Sequence, residues 1–526
     1  MTVQEKITLG KACLGIELGS TRIKATLIDD TFAPIASGSH SWENRLENGY
    51  WTYSLEDIHS GIQACYADLK KDVSEKYGVK LESFGAIGIS AMMHGYMAFD
   101  KDDNLLVPFR TWRNTTTEQA ANELTKLFSF NIPQRWSISH LYQAILNKEP
   151  HVPQIDHINT LAGYIHCLLT GKRCVGVGEA SGMFPIGDNC KYDGAMLDKF
   201  NGAAASHGFT KDIREVLPEV LTAGEKGGVL TAEGARFLDP AGDLKEGAPL
   251  CPPEGDAGTG MAATNAVLPK TGNVSAGTSV FSMLVLEKNL EGVYPEIDIV
   301  TTPDGAPVAM VHCNNCCSEL DAWVKVFDEL LKLAGHPTER YKVYDMLYEN
   351  ALKGDPDCGG VTVYNCLSGE PVIGVEDGRP MYFRQPDGKM NLANFFRAQI
   401  YSSVAALKSG MDILFEKEHV AAQQFTGHGG LFKTEGVAQQ FLADALNTPV
   451  SVMKTAGEGG SWGIALLAAY TVCGGGKSLP DWLDSEVFAG MEKKTLQPEE
   501  KGSQGFADYM KRFNAGLSAE KQLGGV

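Results

Sequence analysis

Two stretches combine glycine, hydroxyl side chains and charge in the way a phosphate site needs. The first is Leu14 to Asp29, LGIELGSTRIKATLID. An apolar strand leads to a Gly19-Ser20-Thr21 turn, and a mostly apolar or β-branched run, interrupted by Lys24, continues from Ile23 to Ile28. Two such runs joined by a short glycine turn make a β-hairpin. Backbone N–H groups and two hydroxyls at the turn suit an anion. Glu17 precedes the turn, and Arg22 and Lys24 follow it. A carboxylate can hold Mg²⁺ through water, and cations can neutralise phosphate oxygens. The patterns G-x-x-x-x-G-K-[ST] and G-x-G-x-x-G are both missing here, so a phosphate would sit on a hairpin and not on a helix-capping loop. An ordinary edge hairpin has the same composition. The second stretch, GNVSAGTSVFSMLV from Gly272 to Val285, repeats the plan around Gly277-Thr278-Ser279.

Three further groups bear on chemistry. Asp256 is a lone acid in a glycine-rich loop, Gly255-Asp256-Ala257-Gly258. Thr426-Gly427-His428-Gly429-Gly430 is a glycine-rich, nucleotide-type turn followed by a helix. His312, Cys313, Cys316 and Cys317 carry a C-x-x-C spacing that fits zinc or an iron–sulfur cluster. No second pair at similar spacing completes that site, and cysteine also packs as a small hydrophobe.

The elements that position these groups are α/β in pattern. The opening hairpin is followed by a third strand, Pro34 to Ser41. A helix runs from Leu55 to Tyr77, with Ser54 as its N-cap and Gly78 as its stop. The apolar run 84–100, FGAIGISAMMHGYMAFD, reads as a buried strand in which Gly85 and Gly88 imply close backbone contact. Helical patterns cover 115–128, 141–148 and 158–170. The stretch 175–260 is rich in Gly and Pro and reads as surface loops with short helices near 193–206 and 211–216. The second hairpin leads to strands near 298–313, helices 318–334 and 338–353, and a long helix over 392–416. A strand ending in TGHGG, a helix over 434–446, a strand from Val450 to Met453 and the turn AGEGGSWG lead into an apolar helix ending near Tyr470. The tail reads as short helices.

Length and composition bound the rest. A chain of 526 residues exceeds the size of a single core. The net charge of −19 disfavours non-specific binding to nucleic acid or anionic membrane. No apolar run approaches the roughly 18 residues that span a bilayer. The N-terminus shows no export signal, so the twelve cysteines read as reduced thiols and the cytoplasm as the expected compartment.

Taken in order, these motifs resemble the FGGY carbohydrate kinases, especially the xylulokinase- and ribulokinase-like ketopentose kinases. The resemblance spans residues 12–475. It implies a duplicated actin/hexokinase-like (ribonuclease H-like) ATPase fold of two domains around a central cleft. The sugar-binding domain would be 12–270, the nucleotide-binding domain 271–475, and 476–526 a helical tail on the second. GISAMMHGYMAFD looks like the substrate motif, which implies Met93 and His94 in the sugar pocket. TWRN implies Trp112 as an apolar wall and Arg113 and Asn114 as polar contacts. EGDAGTGMAA looks like the catalytic acid loop and makes Asp256 the general base. The two hairpin turns would take the phosphates of ATP, with Gly429 and Gly430 on the adenosine side and Mg²⁺ near Glu17 through water. The partner is a small sugar, ketose or polyol, and the family precedent is a homodimer. Four positions depart from the family pattern: Glu17 in place of Asp, Asn114 in place of a sugar-binding Asp, Ala257 in place of Asn, and His428 in place of a small residue. They point to an atypical branch. Two other readings stand beside the kinase: a catalytically silent sugar sensor on the same fold, and a redox ATPase using Cys313, Cys316 and Cys317.

Overall fold

The computed structural model describes residues 1–453 and 459–523. The chain forms two compact units, one of Met1–Val267, Ile299–Val308 and Glu458–Gly490, the other of Leu268–Asp298, Ala309–Gly457 and Met491–Val526.

In the first unit the opening hairpin is the centre of a sheet. Cys13–Leu18 pairs antiparallel with Arg22–Ile28, in a register running from Cys13 opposite Ile28 to Leu18 opposite Ile23. It also pairs parallel with Ala86–Ala91. Pro34–Ser41 extends the sheet on one side. On the other, the short strands Pro249–Leu250 and Glu254–Gly255 both run parallel to Ala86–Ala91. Helices cover both faces. Leu55–Tyr77 begins at Ser54, whose hydroxyl accepts from the Asp57 N–H, and stops at Gly78 in the left-handed region, as its sequence predicts. It lies so close to the sheet that a Cβ on Gly38 would stand 2.4 Å from the Cys65 carbonyl oxygen.

The opposite face carries the helix Gly459–Cys473, buried from Gly460 to Ala469. A helix apolar all round belongs in a core. A Cβ on Gly15 would stand 2.1 Å from the Ser461 carbonyl oxygen, and one on Gly88 2.5 Å from that of Ile464. The close backbone contact expected at Gly88 is therefore with this helix, and at Gly85 it is with Lys11. Sequence order groups this helix with the second half of the chain; its packing joins it to the first unit. The first residues of the turn AGEGGSWG lie outside the described residues.

The second unit repeats the plan. Thr271–Ala276 pairs antiparallel with Val280–Val285 and parallel with Gln424–His428. Val450–Met453 adds parallel to Gln424–His428, and Lys493–Leu496 closes that side antiparallel.

Four expectations need correction. The stretch 175–260 holds the two expected helices, Gly194–Ser206 and Ile213–Val216, but is not otherwise loop: it adds the strands Cys174–Gly176 and Glu219–Leu221 and the helices Val177–Ala180 and Ala232–Leu238. Several of its glycines are packing sites: a Cβ on Gly234 would meet Leu169 backbone at 2.2 Å. Asp256 is not in a loop but is the first residue of the helix Asp256–Ala263. His94 is not in a strand: Ala86–Ala91 ends before it, and the chain turns through His94 and Gly95, both at positive φ. The tail is not a set of short helices only, since Glu500–Leu523 is one helix of 24 residues. Its glycines, which dilute the helical pattern, seat against neighbours: a Cβ on Gly505 would stand 2.4 Å from Pro356. Among the described residues no helix is long and apolar enough to cross a membrane.

The helix–sheet contact at Gly15 has a measurable cost. Gly15→Ala is expected to lower the free energy of unfolding by about 3 kcal/mol, because the methyl group has nowhere to go. Gly202→Ala, in a helix with open space around it, is expected to be neutral or slightly stabilising. Urea midpoints of the two variants check the contrast.

Candidate active site

The sheet register explains how Asp256 meets the Met93-His94 segment. Gly255 stands opposite Ala91 in a parallel pair. The next residue on one strand is Asp256, and two residues on along the other comes Met93. The Met93 N–H donates to Asp256 Oδ1 at 3.1 Å. Burial pushes the Asp256 carboxyl above its ordinary value, while the N–H groups of Met93, Ala257 and Asp256 itself pull the other way. A carboxylate at the first turn of a helix is also favoured by the helix dipole.

His94 sits in the left-handed region at φ 72°, a conformation that costs a non-glycine residue energy and collects at functional sites. Its Nδ1 donates to the Gly182 carbonyl oxygen at 3.2 Å, and its ring stacks on Trp136 at 6.3 Å. Gly182 is glycine for a steric reason: a Cβ there would stand 2.5 Å from His94 Nδ1 and 2.7 Å from Met93 Cε.

The Gly19-Ser20-Thr21 turn is fixed through its carbonyls. Trp42 Nε1 donates to the Gly19 carbonyl at 2.7 Å, and the Tyr53 hydroxyl donates to that of Ser20 at 2.5 Å. Thr21 and Arg22 are exposed at the tip. Lys24 is the register partner of Glu17 across the hairpin. Trp112 belongs to the same neighbourhood, its indole N–H donating to Ser20 Oγ at 3.1 Å.

Glu17 has room for its extra methylene because Gly460 lies beside it. A Cβ on Gly460 would come within 2.5 Å of Glu17 Oε1, and the Ser461 N–H donates to Oε2 at 3.1 Å. Burial, and then the charge of Asp256, push Glu17 up to about 7; Lys24 and the Ser461 N–H oppose this.

Asn114 and Arg113 do not join the group as free polar contacts. Asn114 is buried, its Oδ1 accepting from the Trp51 N–H at 2.8 Å and its Nδ2 donating to the carbonyls of Trp51 and Thr111, both at 2.9 Å. Its amide is spent on backbone, so it clamps the Trp51 and Thr111 segments together. Arg113 is exposed and stacks over the Trp51 ring at 3.9 Å. Trp51, Trp136 and Gly182 were not singled out from sequence; their signal lies in long-range contacts with residues that were.

In the second unit, the carbonyls of the Gly277-Thr278-Ser279 turn are held by the N–H groups of Cys317 and Cys316, at 3.1 and 2.9 Å. Gly429 runs directly over the hairpin: at φ 102° its Cβ would stand 2.3 Å from the Ala276 carbonyl oxygen, while Gly430 faces open space. The half-buried His428 ring is pushed down to about 4 by desolvation. Cys313, Cys316 and Cys317 are all buried, and burial holds the Cys313 thiol well above its ordinary value. Among the described residues no group of three His, Cys, Asp or Glu side chains is disposed to hold a metal ion. What the cysteine segment does visibly is anchor the turn.

Comparison with known proteins decides the family. The model of the N-terminal domain of the FGGY family of carbohydrate kinases matches residues 12–239, and that of the C-terminal domain matches residues 272–472. The chain belongs to the FGGY family of carbohydrate kinases. A xylulose kinase of Haemophilus influenzae is 23% identical over 456 residues, covering 83% of this chain and 86% of that protein. The gluconate kinase structure from Lactobacillus acidophilus matches with a TM-score of 0.78 at 17% identity, over 97% of this chain and 99% of that one. The Plasmodium falciparum glycerol kinase structure with ADP matches with a TM-score of 0.75 at 18% identity, over 96% and 98%. The fold is thus the two-domain, actin/hexokinase-type kinase fold. Membership makes this FGGY protein a phosphotransferase acting on a small carbohydrate, and implies ATP as donor.

The buried acids set a pH dependence of stability. Glu17 and Glu254 are raised to about 7 and about 8, so the folded protein keeps protons that the unfolded chain releases, and stability falls as pH rises towards those values. The buried His140 and His166 and the half-buried His428, all depressed from 6.5, act oppositely but only below that pH. Between pH 6.5 and 8 the melting temperature of the ligand-free protein is therefore expected to fall, and Glu17→Gln is expected to flatten the slope.

Proposed function

We propose that the protein transfers the γ-phosphoryl group of Mg-ATP to a hydroxyl of a ketopentose of the xylulose or ribulose type, or of a related ketose or polyol, with Asp256 as general base. The observation that carries this reading is the Asp256 carboxylate, set at a helix start, tied to the Met93 N–H and adjoining His94.

Phosphoryl transfer asks for positioning, charge neutralisation and a proton acceptor. Asp256 takes the proton of the attacking hydroxyl as its oxygen bonds to phosphorus and the bond to ADP breaks. Its desolvated carboxylate is a stronger base than one in water. His94, locked by Gly182 and Trp136, presents a fixed ring to the acceptor, and Trp112 supplies an apolar wall. The Gly19-Ser20-Thr21 turn, with Arg22 and Lys24, is assigned to phosphate; in the second unit Gly277, Thr278 and Ser279 and the backbone of Gly429 and Gly430 are assigned to the nucleotide.

Among the described residues no three-ligand group includes Glu17, which fits a Mg²⁺ carried by phosphates better than a resident metal. Glu17 would hold such an ion through water, and the ion would neutralise phosphate charge.

The acceptor class rests on the xylulose kinase relative and on the Met93-His94 pair; a gluconate kinase and a glycerol kinase share the fold. A coupled ADP-release screen over pentuloses, hexuloses, aldonates and polyols is expected to give its highest kcat/KM with a ketopentose. Turnover confined to aldonates would overturn that choice, and no sugar-dependent turnover at all would favour the silent sensor.

Asp256→Asn is expected to lower kcat by roughly 10²–10⁴-fold with acceptor and nucleotide binding retained. Near-wild-type turnover in that variant would show that another group takes the proton.

A further inference from the structure

A second pair of acids lies beneath Asp256. Glu254 and Glu179 are both fully buried and seat reciprocally in glycine sockets. The Glu254 carboxyl occupies the space that Cβ atoms of Gly176 and Gly178 would need, at 2.0 Å from Oε1 and 2.4 Å from Oε2. It accepts from the N–H groups of Gly178 at 3.3 Å and Glu179 at 2.9 Å. The Glu179 carboxyl in turn occupies the space of a Cβ on Gly255, 2.5 Å from Oε2, and the same point lies 2.9 Å from Met93 Cγ. Gly255 thus turns its open side-chain position onto Glu179 and Met93 together, immediately before Asp256 and beside the N–H that holds Asp256.

The two carboxyls are not equivalent. Glu254 has two backbone donors. Among the described residues neither oxygen of Glu179 accepts from a backbone N–H; the Thr160 side chain is its hydrogen-bonding neighbour. The groups that act on it are Glu254, Asp256 and the Thr160 hydroxyl, and Tyr192 lies within its field. No cation is among them. A bare carboxylate in such a place is prohibitively costly, whereas a neutral carboxylic acid is not. Burial accordingly holds its pKa well above the ordinary value, with Thr160 opposing.

We infer that Glu179 is a positioning residue for the phosphoryl transfer: an uncharged carboxylic acid that packs on the open face of Gly255 beside Met93 and so sets the Asp256 carboxylate. Its role runs through Asp256 and rests on the reading of Asp256 as the base.

The test compares Glu179→Gln and Glu179→Ala with the wild-type protein, using the best acceptor of the screen. Gln keeps shape and neutrality and is expected to hold kcat within about twofold, while Ala, which frees Gly255, is expected to lower kcat by roughly 10²-fold with KM for ATP unchanged. The infrared difference spectrum of wild type minus Glu179→Gln at pH 8 is expected to show the band of a protonated carboxylic acid.

A carboxylate band in that spectrum, a Gln variant as impaired as Ala or unable to fold, or an Ala variant with wild-type kcat would each overturn the inference. Should the Ala variant not fold, the spectrum and the Gln variant decide. Asp256→Asn separates the two claims: if it stays active, the assignment of the base fails. If it is inactive while both Glu179 variants turn over normally, only the positioning role fails.

Discussion

The architecture of the first unit depends on one close approach, the backbone of the helix Gly459–Cys473 lying directly on the sheet at Gly15 and Gly88. No side chain separates them. The same helix takes a third such contact at Gly463, where a Cβ would stand 2.0 Å from the Thr259 carbonyl oxygen. Hairpin, acid-bearing helix and covering helix are therefore fixed to one another by backbone, with little slack for side-chain repacking. This is why the Ser461 N–H can reach Glu17 and why Glu17 feels the charge of Asp256. In a close-packed interior, positions set by backbone contact carry over to side chains with small error.

The consequence is a concentration of acid in a dry place. Glu17, Glu179, Glu254 and Asp256 all have raised pKa values, and in each the largest cause is burial. Such groups destabilise the fold in isolation and collect where chemistry needs them. The protein manages three of them by handing each carboxyl backbone N–H donors: Ser461 to Glu17, Gly178 and Glu179 to Glu254, Met93 to Asp256. Glu179 is the one left without.

Much of this was legible in the residues. The Leu55–Tyr77 helix announced both its ends through Ser54 and Gly78, because capping is local chemistry. The two hairpins were legible because a glycine turn between apolar runs needs no distant partner. Asp256 could be picked out as the acid, yet not its helix, since Asp, Thr and two glycines in DAGTGMAA dilute its helical signal and the segment packs closely on Gly459–Cys473. The Glu500–Leu523 helix was masked by glycines whose purpose is contact with Pro356 and Asp444. Asn114 looked like a ligand-binding amide because nothing local shows that Trp51 and Thr111 claim all its bonds. Glu179 carried no signal beyond the surrounding run VGVGEASG, and its meaning exists only through Gly255, far away in the chain.

The hydrogen bond from the Trp112 indole to the Ser20 hydroxyl joins two surfaces assigned to different molecules, the wall for the acceptor and the turn for the donor phosphates. A displacement of the Trp112 ring would stretch or break this bond and take away the Ser20 hydroxyl's indole donor. An acceptor of the wrong shape would thus be penalised twice, once by its own poor contact and once by spoiling the hydroxyl offered to phosphate. On the proposed assignment, water, too small to press on the ring, would gain nothing from the linkage, and a sugar hydroxyl would differ from the solvent around it.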